Sequence, residues 1–304
     1  MADIDRRALA QAITKAANAS VEDVLAGRVV YEEHPIARIA LTGSPGSGKS
    51  TLAGALARRR IAEDAARYIG VLAIDPSSRY SGGAILGDRI RMDSDTAEPR
   101  LYIRSLASRH TGEGLADNIS ILLNLLGNYG FTECITETVG VGQIDCAVRD
   151  LSDTVVLVVN PESGDVIQTM KSGIMESADI YVVTKADLPG SDKIVAALRS
   201  RGSKPREPGW EPPVLETTVK NPDSFQTLSS SIDEHLKWRA AKLDPKNIAR
   251  HRRSYATIAL AQRHCRQLLD SADPATLQVD ELMDAISRSF AKLAAAARSQ
   301  NQRT

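Results

Sequence analysis

Residues 43–50 read Gly43-Ser44-Pro45-Gly46-Ser47-Gly48-Lys49-Ser50, and they directly follow the apolar run Ile39-Ala40-Leu41. The spacing G-x-x-x-x-G-K-S is typical of a phosphate-binding loop that joins a β-strand to an α-helix. Its glycines let the backbone curl, so that several N–H groups face one anion at the positive end of the helix. A glycine-rich turn containing Lys-Ser by chance is the alternative, but the helix-like residues 51–57 argue against it. The chain is therefore predicted to bind a nucleoside triphosphate.

The predicted contacts of this loop differ in their chemistry. Lys49 is expected to reach the β- and γ-phosphates as a point charge, and Ser50 is expected to ligate Mg²⁺ through its hydroxyl. The remaining loop residues and Thr51 are expected to surround the other phosphate oxygens. Lys49 is also a candidate catalytic residue, because its charge would neutralise the γ- and bridging oxygens.

Short apolar runs alternate with helix-like segments on both sides of the loop. Because strands separated by helices form a parallel sheet covered on both faces, the fold is predicted to be a doubly wound, mostly parallel α/β P-loop NTPase. Strands are predicted at 37–41, 69–74, 130–137, 154–160, 180–184 and 214–217, and helices at 5–27, 49–62, 113–128, 165–178, 191–201 and 222–240.

Helical segments extend this core at both ends of the chain. The predicted units are an N-terminal helical extension (1–35), the P-loop GTPase domain (36–243) and a C-terminal helical extension (244–304). The C-terminal extension carries two apolar stripes, which either fold back on the domain or pack against a second copy as a dimerisation arm. The stripes comprise Ile248, Tyr255, Ile258, Cys265 and Leu269, followed by Val279, Leu282, Ile286, Phe290 and Leu293.

Composition excludes several classes of partner. Lys and Arg total 38 residues, as do Asp and Glu, so the formal net charge is zero and nucleic-acid binding is not expected. The basic run 58–60 is interpreted as a solvated helix end beside Glu63 and Asp64. Three widely spaced cysteines suit a reducing compartment. With no apolar stretch long enough to span a bilayer and no signal peptide, we expect a cytoplasmic protein without a membrane partner.

The sequence Thr184-Lys185-Ala186-Asp187 follows a predicted strand and predicts the base. The Asp187 carboxylate can accept two hydrogen bonds from the N1–H and exocyclic amine of guanine, a donor pair that adenine lacks. Lys185 would lay its aliphatic stem along the base. Asn is the commoner residue at position 184, but the Thr184 hydroxyl could still tie the loop. GTP is therefore favoured over ATP.

Acidic residues at two further strand ends predict the metal site. Glu137 begins the stretch Glu137-Thr138-Val139-Gly140-Val141-Gly142-Gln143, in which the Gly140 N–H could sense the γ-phosphate. Asp75 ends another predicted strand, and Asp88 lies in a glycine-containing loop beyond it. With Ser50 and Glu137, these two acids would supply the oxygen-rich shell that Mg²⁺ prefers.

Together these stretches resemble the MeaB/ArgK-type GTPases, the G-protein chaperones of adenosylcobalamin-dependent acyl-CoA mutases. The resemblance runs from the phosphate-binding loop through Asp187, and the stretch 75–92 is its most specific part. The other matching stretches are 43–50, 137–143 and 160–165 with 173–179. The resemblance implies a fold of the signal-recognition and nickel-insertion GTPase class, with GTP/GDP and Mg²⁺ as cofactors.

The same resemblance implies switches and partners. Residues 75–91 would form a first switch and 140–143 part of a second. Residues 161–175, including Lys171, would touch a mutase such as methylmalonyl-CoA mutase. A cobalamin adenosyltransferase is a further candidate partner, and the protein would be a homodimer. The loop Glu216-Thr217-Thr218-Val219-Lys220 lacks the family's usual Ser-Ala contact to guanine, so Thr217 or Thr218 would substitute for it.

No residue is an obvious base for the attacking water. Gln143 is a candidate water-orienting group, and Arg89 is a candidate arginine finger, with Arg104 and Arg109 as alternatives. A hydrolase without its own orienting group is expected to be slow alone and faster with a partner.

Two other functions remain open from the sequence. One is a nickel-inserting GTPase, for which Cys134 and Cys146 beside the Glu137 loop form the suggestive pair. The other is a P-loop kinase that acts on a small molecule or a protein. A scaffold that does not hydrolyse nucleotide is disfavoured by the full set of phosphate and Mg²⁺ residues.

Overall fold

The computed structural model describes residues 4–29, 33–76, 98–108, 118–138, 145–162, 178–200 and 209–271, with 116, 280, 283–289 and 291. Within these residues a seven-stranded, all-parallel sheet has the order β3-β2-β4-β1-β5-β6-β7. The strands are β1 (Ala37–Thr42), β2 (Ile69–Pro76), β3 (Leu101–Ser108), β4 (Glu133–Glu137), β5 (Thr154–Val159), β6 (Ile180–Val183) and β7 (Val214–Glu216).

Helices cover both faces of the sheet, as predicted. They are α1 (Arg6–Ala17), α2 (Val21–Leu25), α3 (Lys49–Glu63), α4 (Ile119–Asn128), α5 (Asp145–Leu151), α6 (Ser191–Ser200), α7 (Ser224–Lys242) and α8 (Pro245–Ser271). Every residue of β5 is buried. Because successive strand residues point to opposite faces, helices must cover this strand on both sides. Val156 and Val158 pack with α3 and α7, whereas Val155 packs with α1 and α4.

The strand register brings the predicted site together. β1 lies in the middle of the sheet, between β4 and β5, so the loop that leaves it emerges at the centre of the carboxyl edge. Leu41, near the end of β1, is paired with Glu137 of β4 and with Val156 of β5. The Glu137 side chain therefore starts beside the phosphate-binding loop, at the edge where ligands bind in open α/β sheets.

Three elements of the structure differ from what the sequence predicted. The single helix expected over 5–27 is two helices, because Ser20 and Asp23 form a reciprocal capping box that starts α2. Strand β3 was not predicted; it is an edge strand whose polar residues Arg104 and Ser105 hide the apolar pattern. The strand expected from 130 begins at Glu133, because Gly130, with φ of 87°, lies in the turn after α4.

The basic run 58–60 is not simply a solvated helix end, as the sequence suggested. Arg59 pairs with Glu63 on the helix surface, but Arg60 is fully buried. Its guanidinium contacts both Glu133 oxygens at 2.7 and 3.0 Å and Asp233 Oδ1 at 2.7 Å. This buried cluster joins α3, β4 and α7.

Helix α8 packs partly back on the domain. Arg252 bonds Asp153, and Arg263 bonds both the Asn118 side chain and the Ala19 carbonyl. Of the first predicted apolar stripe, Tyr255 packs against the core, whereas Ile258 remains 58% exposed. In the part of the chain that the structure describes, no helix is long and apolar enough to cross a membrane.

Candidate functional site

The phosphate-binding loop has the backbone geometry that its glycines predict. Gly43, Gly46 and Gly48 all have positive φ, at 144°, 76° and 89°, and Gly48 directly precedes helix α3. The Lys49 ammonium donates hydrogen bonds of 2.9 Å to the carbonyls of Gly43 and Ser44. Lys49 is thus held within the loop at the positive end of a 15-residue helix.

Replacement of Gly43 by alanine is expected to disrupt the loop. A Cβ at Gly43 would lie 2.0 Å from the carbonyl oxygen of Val158, so β5 itself must move. We expect a loss of more than about 3 kcal/mol in the free energy of unfolding, measured by urea denaturation. Gly46→Ala is the matched control: its φ is also left-handed, but a Cβ there has open space, so about 1–2 kcal/mol is expected. Equal losses in the two variants would contradict this packing argument.

The residues predicted to hold the metal are partly brought together. Ser50 Oγ donates a 2.6 Å hydrogen bond to Glu137 Oε1, and the Glu137 side chain is nearly buried. A hydroxyl and a carboxylate at this distance are hard oxygen donors, which fits the ligand preference of Mg²⁺. Asp75 is the seventh residue of β2 and pairs with Ala107, but its side chain lies outside the described residues. Asp88 lies outside them altogether.

The predicted base site lies around the end of β6. Thr218 Oγ1 donates to Asp187 Oδ1 at 2.6 Å, and the Lys220 ammonium contacts Asp187 Oδ2 at 2.6 Å. These two interactions lower the pKa of Asp187 to about 2, with the bond from Lys220 as the larger cause. Because a carboxylate has about four acceptor sites, Asp187 retains capacity for a further donor.

A cavity of about 250 Å³ adjoins this carboxylate. Its lining includes Gly48 and Thr51 from the phosphate side, together with Lys185, Thr218 and Val219. Both threonines proposed for the guanine contact line this cavity, but their surroundings differ. Thr218 bonds Asp187 through its side chain, whereas Thr217 is buried, and its backbone N–H bonds the carbonyl of Val183.

Two side chains tie the phosphate-binding loop to neighbouring strand ends. Thr184 Oγ1 donates to the Ser47 carbonyl at 2.6 Å, so its hydroxyl ties the loop as the sequence suggested. Asn160 Nδ2 donates to the Gly46 carbonyl at 2.9 Å. No role was predicted for Asn160, although its position directly after the central strand β5 was an available signal.

Several residues predicted for the site are either not described by the structure or bonded to another element. Arg89, Gly140 and Gln143 lie outside the described residues, as do Arg109 and Lys171. The proposal of Arg104 as an arginine finger within the same chain is not supported, because its guanidinium bonds Thr14 of α1.

The cysteine pair suggested for nickel also lacks support. Cys134 is fully buried in the core beside β1, and burial raises the pKa of its thiol to about 12. A thiol in this environment resists the deprotonation that metal binding requires. The Cys146 side chain lies outside the described residues, and among those described no group of three or more His, Cys, Asp or Glu could hold a metal ion.

Comparison with known proteins agrees with this geometry. Residues 9–276 match the family model "Methylmalonyl Co-A mutase-associated GTPase MeaB". A "Putative GTPase" of Pyrococcus abyssi is 39% identical over 264 residues, which cover 84% of this chain and 80% of that protein. A "Methylmalonic aciduria type A homolog, mitochondrial" of Caenorhabditis briggsae is 36% identical over 204 residues, covering 66% of this chain and 49% of that protein.

A solved structure supports the fold independently. The crystal structure of LAO/AO transport system kinase superposes with a TM-score of 0.62 and 21% identity, covering 95% of this chain and 94% of that one. At this identity the likeness concerns the fold alone. The match over residues 9–276 shows that the chain belongs to the MeaB family of methylmalonyl-CoA mutase-associated GTPases.

Proposed function

We propose that this GTPase is a chaperone that couples GTP hydrolysis to adenosylcobalamin loading, protection or reactivation of an acyl-CoA mutase such as methylmalonyl-CoA mutase. The observation that carries the proposal is the convergence of Lys49, Ser50 and Glu137 in a chain of this family. Phosphoryl transfer requires mainly positioning and charge stabilisation, and these three side chains supply the charged and polar groups for it.

In the proposed mechanism, the start of α3 and the Lys49 ammonium stabilise the charge that develops on the γ-phosphate and the bridging oxygen. Ser50 and Glu137 would hold Mg²⁺, which supplies additional positive charge to the phosphate oxygens when bound. Lys49 already lies between the loop carbonyls, so little reorganisation is needed before it acts. The sequence offers no obvious base for the attacking water, so hydrolysis is proposed to be slow without a partner.

Asp187 is proposed to select guanine. Asp187→Asn should lower GTP affinity at least about a hundredfold, because an amide cannot accept from both the N1–H and the amine of guanine. Xanthine carries a carbonyl in place of that amine, so the variant should bind xanthosine triphosphate instead. Equilibrium binding of the two nucleotides tests this, with the exposed Asp192→Asn as control. Unchanged GTP preference in Asp187→Asn would contradict the assignment of the base site.

The mutase partnership is tested by turnover. GTP and ATP hydrolysis are measured alone and with adenosylcobalamin-dependent methylmalonyl-CoA mutase, and GTP turnover is expected to rise about tenfold or more with the mutase. Equal rates for both nucleotides, unaffected by the mutase, would overturn the proposal. Transfer of the γ-phosphate to anything except water would favour a kinase.

We further propose a homodimer in which α8 contributes to the interface. Ile258 and Leu269 on α8 and Met283 beyond it are exposed apolar side chains, and burial against a second copy would remove them from water. Binding of a cobalamin adenosyltransferase remains a subsidiary proposal. The molecular mass in solution, compared between the native chain and Ile258→Glu, tests the dimer.

A further inference from the structure

The end of β5 lies between the two halves of the nucleotide site. Asn160, which directly follows the strand, is buried and bonds the Gly46 carbonyl of the phosphate-binding loop. Two residues further on, the Glu162 carboxylate forms an ion pair with the Lys185 ammonium at the base site. One short turn therefore contacts both the phosphate side and the base side.

We infer that Asn160 and Glu162 are positioning residues, with Asn160 setting the phosphate half of the site and Glu162 setting the base half. This inference rests on the nucleotide site proposed above. Neither side chain is required to touch the nucleotide, because each acts through a residue of the site.

Asn160 acts on the loop through the geometry of the peptide bond. A trans peptide carries its C=O and N–H on opposite sides, so fixing a carbonyl also fixes the direction of the next N–H. Asn160 holds the Gly46 carbonyl at 2.9 Å, and Thr184 holds the neighbouring Ser47 carbonyl at 2.6 Å. The N–H groups of Ser47 and Gly48 are consequently directed away from Asn160 and Thr184, and the Ser47 N–H donates to the Ser44 carbonyl. Gly46, with φ of 76°, is conformationally permissive and depends on such a tether.

Glu162 acts on the base half of the site through Lys185. This lysine has a left-handed backbone, with φ of 51°, and its side chain lines the cavity beside Asp187. A lysine stem has four rotatable bonds, so the ion pair to Glu162 limits where the stem lies. Both partners are about half exposed, at 42% and 59%, so the pair is weak and sensitive to salt.

The two positioning roles predict different effects on the affinities for GDP and for guanosine. Asn160→Ala should lower GDP affinity about five- to tenfold, the effect of one lost hydrogen bond, and leave the affinity for guanosine unchanged. Asn160→Asp should lower GDP affinity further, because this variant loses the hydrogen-bond donor and adds negative charge near the phosphates. Glu162→Gln should lower GDP and guanosine affinity by the same factor of about two to three, and this loss should disappear at high salt.

Displacement of a fluorescent GDP analogue by GDP and by guanosine measures these affinities in the full chain. Thermal unfolding establishes that each variant is folded, and the exposed Glu234→Gln on α7 is the matched control for Glu162. If Asn160→Ala does not fold, Asn160→Ser provides the same comparison.

A selective loss of GDP affinity in the Asn160 variants, with an equal loss of both ligands in Glu162→Gln, supports the inference. Unchanged GDP affinity in the Asn160 variants, or an equal loss of GDP and guanosine affinity, would overturn it. Failure of the native chain to bind GDP would instead overturn the proposed function on which it rests.

Discussion

Lys49→Ala is expected to lower the rate of GTP hydrolysis by at least about a hundredfold. The ammonium is the positive side chain held inside the phosphate-binding loop, bonded to the carbonyls of Gly43 and Ser44. It is only 6% exposed, so its charge acts in an environment of low polarity, where it stabilises developing negative charge more strongly than in water. Single-turnover GTP hydrolysis measures the effect directly.

An exposed lysine in another helix provides a matched control. Lys193 lies in the first turn of α6 and is exposed, so Lys193→Ala should hydrolyse GTP at the native rate. Nucleotide binding should also separate the two variants: GDP should raise the melting temperature of Lys193→Ala and have little effect on Lys49→Ala. Normal hydrolysis by Lys49→Ala would remove the central element of the proposed mechanism.

Arg60→Met should reduce the free energy of unfolding by about 3–5 kcal/mol, the usual cost of breaking a buried ion pair by removing one partner. The Arg60 side chain is fully buried and contacts Glu133, Asp233 and the carbonyl of Ser229. Its removal leaves the Glu133 carboxylate buried with one guanidinium partner fewer, although Arg67 remains at 3.1 Å. Differential scanning calorimetry should show a melting temperature lower by roughly 10 °C.

The adjacent residue provides the control for this change. Arg59 pairs with Glu63 at the helix surface, so Arg59→Met should alter the free energy of unfolding by less than about 1 kcal/mol. A similar small change in Arg60→Met would show that the cluster contributes little to stability.

The same cluster gives an expected dependence on pH. Burial alone would raise the pKa of Asp233, but the bonds from Arg60 and Arg67 outweigh it and hold that pKa below the usual 3.8. A carboxyl whose pKa is lowered by folding stabilises the protein above its unfolded-state pKa, and this contribution is lost as the pH falls through the folded-state value. The stability difference between native chain and Asp233→Asn should therefore shrink below about pH 4. A difference independent of pH would contradict this assignment.

Much of the fold could be read from local pattern. The glycine spacing of 43–50 predicted a curled backbone, and Gly43, Gly46 and Gly48 all have positive φ. The unbroken apolar run of β5 indicated a strand buried on both faces. Elements whose local pattern is weak were missed: β3 contains Arg104 and Ser105 and pairs with one neighbour only, among the described strands.

The sequence by itself determined the phosphate-binding loop and the family, and it predicted Asp187 as the base-selecting residue, because each depends on residue types at fixed local spacing. Only the tertiary structure decided that Arg60 is buried with Glu133, that Thr218 rather than Thr217 bonds Asp187, and that Asn160 ties Gly46. The partners in these pairs are 73, 31 and 114 residues apart in the chain. The order and register of the strands bring them together, and local spacing carries no information about either.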